Sequence, residues 1–181
     1  MIKELLYSRS VLVLMATSLI VLSGCTVDDT TGEIIETEET NLSEVTFTAR
    51  SSNFNFTASL KGRNEVNPAT TNATGNAIVK ISKDETSIYY KLTVGNIDDV
   101  FASHFHMAPP GENGPIVATL FSGAPDGRVN GILAEGTITA SDVEGQLEGD
   151  LAALIDRIRT GRIYVNVHTL EVPSGELRGN L

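Results

Sequence analysis

Three histidines are the residues of this 181-residue chain best suited to chemistry. His104 and His106 stand two apart in Ala102-Ser103-His104-Phe105-His106. On an extended segment they project from one face with Cα atoms roughly 6.5–7 Å apart, close enough for two imidazoles to converge on one ion. His168 closes the run Tyr164-Val165-Asn166-Val167-His168 and shares an alternate-residue face with Tyr164 and Asn166. Glu176 and Arg178 share a face on the segment after it. The turn Pro173-Ser174-Gly175 should fold the two segments into a hairpin, with Glu176 near His168. Glu65 is a further acid able to reach the same region.

Two chemistries fit this set. In the first, His104, His106 and His168 hold a transition ion, copper or zinc, and a carboxylate completes or orients the shell. In the second, neutral imidazoles donate to carboxylates or carbonyls, Glu176 pairs with Arg178 or a histidine, and Asn166 ties down the 109–115 loop; no cofactor is required. Both remain open at this level. A hydrolase is not expected, because Ser103 lies in no Gly-x-Ser-x-Gly elbow. Gly111-Glu112-Asn113-Gly114 reads as a turn rather than a phosphate loop. With no recognisable catalytic constellation, a non-enzymatic binding or structural module is the expectation.

The elements that must position these residues are strands. Alternation of apolar and polar residues predicts strands over 54–60, 77–81, 88–94, 101–107, 116–121, 132–139, 162–169 and 176–180. Turn signals at 83–85, 109–111, 124–127 and 173–175 separate several of them. One helix is predicted where Leu151, Leu154, Ile155 and Ile158 fall at helical spacing, with Asp150 as N-cap and Gly161 as its stop. Eight short strands and one short helix predict an all-β domain over 53–181, an antiparallel β-sandwich or flattened barrel.

Upstream, Lys3 and Arg9 precede the apolar run 11–22, which ends in Leu22-Ser23-Gly24-Cys25. A run this short suits a signal-peptide h-region better than a spanning helix. The tetrapeptide resembles a bacterial lipobox, which implies a leader over 1–24, cleavage before Cys25, and acylation of Cys25 as a membrane anchor of palmitate type. Residues 25–52 are rich in Thr and acid and are expected to form an extended tether; the alternation at 45–49 leaves a short strand there open. A cell-envelope location follows, at the outer membrane or cell surface if the cell has an outer membrane. Cys25 is the only cysteine, so no intrachain disulfide can form. The net charge of −10 speaks against nucleic acid as a partner; the identity of a protein or ligand partner is left open.

Taken together, five motifs in order carry a family resemblance: 56–66 (FTASLKGRNEV), 102–106 (ASHFH), 111–117 (GENGPIV), 164–169 (YVNVHT) and 173–179 (PSGELRG). The chain resembles the CHRD domain, the module named after chordin and found in many bacterial exported proteins. That resemblance implies an immunoglobulin-like β fold with a faint likeness to copper–zinc superoxide dismutases. Three histidines are too few for that enzyme's two-metal set, and its disulfide is impossible here. Chordin's sequestration of growth factors does not transfer, because its Cys-rich modules are lacking here.

Overall fold

The computed structural model describes residues 53–181. The leader, the lipobox Cys25, the acidic segment and the 45–49 stretch lie outside the described residues. Eight strands form: β1 (Asn55–Lys61), β2 (Thr74–Ile81), β3 (Ile88–Asp98), β4 (Val100–Met107), β5 (Ile116–Ser122), β6 (Arg128–Ile138), β7 (Ile163–Thr169) and β8 (Leu177–Asn180). Among the described residues one α-helix, α1 (Leu151–Arg159), precedes β7. All eight strands join one sheet in the order β5-β4-β7-β8-β1-β2-β3-β6, and every neighbouring pair is antiparallel. The predicted all-β class is therefore what forms, with the strands continuous in one curled sheet.

The two ends of that order meet. The Tyr90 hydroxyl on β3 donates to the Leu120 carbonyl on β5 at 2.8 Å, so the sheet comes close to closing into a barrel. Closure suits a small domain because a free edge leaves unpaired backbone groups. The segment after β6 covers part of the β5 edge: the Glu144 N–H donates to the Val117 carbonyl at 3.0 Å. The Thr119 hydroxyl donates to the Glu144 carboxylate at 2.8 Å in the same place.

Leu60, Val79, Leu92, Phe105, Val165 and Leu177 fill the interior, and α1 adds Leu154, Ile155 and Ile158. These residues come from the apolar halves of alternating strands and from one stripe of the helix. The helix starts where Asp150 accepts the Ala153 N–H at 2.8 Å. It stops in a Schellman turn: Gly161, at φ +67°, donates to the Ile158 carbonyl, and Arg162 donates to the Arg157 carbonyl. Both helix signals read from the sequence are thus in place.

β3 runs four residues past its predicted end, to Asp98, because a register shift between Val94 and Ile97 takes up Asn96 at φ +54° and pairing then resumes with β6. Asp99 alone then links β3 to β4, at φ +50°. This corner carries the chain from the β2–β3–β6 side of the sheet to the β5–β4–β7 side. It is pinned by an Asp98–Arg128 ion pair at 2.8 Å and by the Gly127 N–H donating to Asp99 at 2.9 Å. Among the described residues no helix is long and apolar enough to cross a membrane.

Candidate metal centre

β7 is the strand that reveals the site. Six of its seven residues are buried, although Tyr164, Asn166 and His168 alternate with Ile163, Val165 and Val167. The aliphatic set enters the core, so the polar set lies on the opposite face, where loops cover it. Register places His106 opposite Tyr164, His104 opposite Asn166, and Ala102 opposite His168 on that same face. Asn166 in turn faces Arg178 on β8. Phe105, between the two histidines of β4, points into the core with no exposed surface. Register shifts against β5 on both sides of the His104–Phe105 pair bend β4 where the histidines emerge.

The three imidazoles form a compact triangle. Ring centroids lie 5.6 Å apart for His104–His106, 5.1 Å for His104–His168 and 5.8 Å for His106–His168. One nitrogen from each ring lies within 4.8 Å of the other two. His106 Nδ1 bonds the Gly114 carbonyl at 2.9 Å, and His168 Nδ1 bonds the Pro173 carbonyl at 2.9 Å. A carbonyl only accepts, so each Nδ1 carries the proton and each Nε2 keeps its lone pair. Both Nε2 atoms are buried without a hydrogen-bond partner, and so is Nδ1 of His104. Buried polar atoms without partners are uncommon, and here three belong to one triangle.

The titration behaviour matches. His104 is pushed down to about 4, first by burial and then by the neighbouring His168 and His106. Burial also lowers His106, against the bond to Gly114, and lowers His168, against the bond to Pro173. All three rings are therefore neutral at pH 7, the form that binds metal.

The surrounding groups hold the rings in place. Tyr164 stacks on His106 at 5.0 Å and 10° from the β4 side, and the Arg178 guanidinium lies 3.5 Å from the Tyr164 ring centroid on the β8 side. Arg178 is 1% exposed. It donates to the Glu112 carbonyl at 2.7 Å and to Asn113 Oδ1 at 3.1 Å. The Gly114 N–H donates to the Tyr164 hydroxyl at 3.1 Å. A Cβ at Gly114 would collide with the Met107 carbonyl, so only glycine lets the loop lie this close to β4.

Several expectations about the polar network change. The 109–115 loop is tied down by Arg178, His106 and Tyr164 rather than by Asn166. Asn166 Nδ2 instead donates to Glu65 at 3.0 and 3.3 Å, which brings Glu65 onto the site's flank. Glu65 is pushed up to about 7 by burial, against the opposing pull of Arg178 and of the Asn166 bond. Glu176 pairs with neither Arg178 nor a histidine. Its two oxygens accept from the Thr71 hydroxyl at 2.6 Å and the Thr169 hydroxyl at 2.7 Å. Thr71, Thr169 and the Pro173 carbonyl are the contributors that periodicity could not flag, because each acts from a loop or a strand end. Ser103 is fully buried and donates to the Asn166 carbonyl at 2.8 Å, a structural bond.

A nearly closed antiparallel barrel with a three-histidine cluster on its outer face defines the class of this domain. The model of the CHRD domain family matches residues 56–181, and the chain belongs to that family. No curated protein and no solved structure matches it.

Proposed function

We propose that this CHRD domain is a transition-metal-binding module, with His104 Nδ1, His106 Nε2 and His168 Nε2 as ligands. One observation carries the reading: each of the three rings has a buried nitrogen without a hydrogen-bond partner, and the three rings bring one nitrogen apiece within 4.8 Å of one another. A tetrahedral ion with bonds of about 2.0–2.1 Å needs nitrogens about 3.3 Å apart, so each ring has to move inward by less than about 1 Å. The carbonyl bonds at His106 and His168 are the outer contacts that orient metal-bound imidazoles. A purely structural network accounts for those two Nδ1 bonds but leaves the three facing nitrogens unused. Zinc and copper both suit an all-imidazole set.

The role is binding rather than catalysis, and the module is displayed on the cell envelope by an acylated Cys25 through the acidic tether. The lipobox-like Leu22-Ser23-Gly24-Cys25 supports that placement. Equilibrium dialysis of the chelator-stripped chain against zinc or copper, followed by elemental analysis, tests the reading. One ion per chain is expected, lost in His104→Ala and in His106→Ala. Retention of a full equivalent by the double variant would refute the assignment.

A further inference from the structure

We propose that an ion held by His104, His106 and His168 keeps one coordination position open to a small exchangeable anion. This rests on the metal-binding reading above.

The ligand count comes first. The cluster of metal-capable side chains at this site contains the three histidines and no carboxylate or thiol. The two buried acids on its flanks are engaged elsewhere: Glu65 with Asn166 at 3.0 Å, and Glu176 with Thr71 at 2.6 Å and Thr169 at 2.7 Å. Turning either one toward the ion would abandon hydrogen bonds made by a buried carboxylate and leave their donors unsatisfied. Closed structural zinc sites carry four protein ligands, whereas sites with three leave a position for solvent or substrate.

Position comes second. All three rings rise from one face of the β4–β7 pair. Three ligands arriving from one side of a tetrahedral ion leave the fourth direction pointing away from the sheet.

Charge comes third. Three neutral imidazoles cancel none of the charge of a divalent ion. Positive charge also lies close by, since the Arg178 guanidinium sits behind the Tyr164 ring that stacks on His106. A cationic centre without an anionic protein ligand favours an anion over neutral solvent at its open position. Azide is the probe, a small anion that reports its own coordination: it displaces solvent from the ion, and no electron or proton transfer is needed.

The full chain in detergent is loaded with one equivalent of copper(II) and titrated with sodium azide, followed by absorption and electron paramagnetic resonance. Expected is a new azide-to-copper charge-transfer band that saturates at one azide per ion, with nitrogen hyperfine coupling from the imidazoles retained. A copper ion bound through three nitrogens that gives no azide band overturns the open position while leaving the metal-binding reading intact. Loss of copper to solution as azide is added overturns it equally. A chain that takes up no copper overturns both.

Discussion

Acidification separates this site from three ordinary imidazoles, and the size of the difference can be worked out. Each ligand nitrogen must be deprotonated to bind, so apparent affinity falls by one proton-competition factor per histidine. For an imidazole of ordinary pKa, about 6.5, that factor is about tenfold between about pH 7.5 and about pH 5.5. Three such ligands lose about a thousandfold. In the folded domain His104 is pushed down to about 4, so it stays neutral across the whole interval and contributes almost nothing to the loss. His106 and His168 are also lowered, so neither exceeds the ordinary factor. The zinc affinity of the full chain should therefore fall by less than about a hundredfold over that range. Competition titration against a chromophoric chelator, corrected for the chelator's own protonation, measures the ratio. A fall of a thousandfold or more would show that burial does not hold His104 neutral and that the pocket is wetter than described.

Four further outcomes follow. Glu65→Gln should change the pH profile of stability: the folded pKa of about 7 exceeds the ordinary 4.5, so the unfolded chain loses this proton first and the native chain loses stability as pH rises from 4.5 to 7. The stability of the variant relative to the parent should rise by about 2–3 kcal/mol across that window in denaturant melts, the lower end reflecting partial solvation of the carboxyl, and a pH-independent difference would contradict it. The three histidines act with the opposite sign, losing stability as pH falls below about 6.5, which is why the difference between variant and parent is the quantity to follow. Arg178→Met should cost about 2 kcal/mol by removing the charge-assisted bonds to the Glu112 carbonyl and the Asn113 amide oxygen, and limited proteolysis should then cut within 108–115. Gly114→Ala should cost about 1–3 kcal/mol through the clash with the Met107 carbonyl, read as a lower Tm. Cys25→Ser should leave a precursor without acyl chains, seen by intact mass and detergent partitioning; an unacylated mature mass in the parent would refute the anchor.

Local pattern carried much of this. The strands were legible because each pairs an aliphatic face with a polar one, and the helix because Asp150 and Gly161 bracket its apolar stripe. His104 and His106 were legible as a pair because spacing of two fixes a common face. Sheet order was not legible, since alternation says which face a residue takes and nothing about which strand lies beside it. The extension of β3 was hidden by the shift at Asn96, where the period breaks. The partners of the site's buried acids were hidden for a related reason. Glu65 reaches Asn166 across 101 positions and Thr71 reaches Glu176 across 105, from loops whose paths only the closed sheet determines. The missing partners at the ring nitrogens, on which the metal-binding proposal rests, were not legible because residue type alone does not show what each nitrogen bonds.

Imidazole nitrogen chemical shifts of the full chain, recorded before and after one equivalent of zinc, test the central claim atom by atom. Without zinc, His106 and His168 should be Nδ1–H tautomers with lone-pair Nε2 signals, and His104 should show the reverse. With zinc, His106 Nε2, His168 Nε2 and His104 Nδ1 should all move to metal-bound positions while the two Nδ1 protons bonded to Gly114 and Pro173 persist. Those three nitrogens keeping their metal-free shifts at saturating zinc would contradict the account.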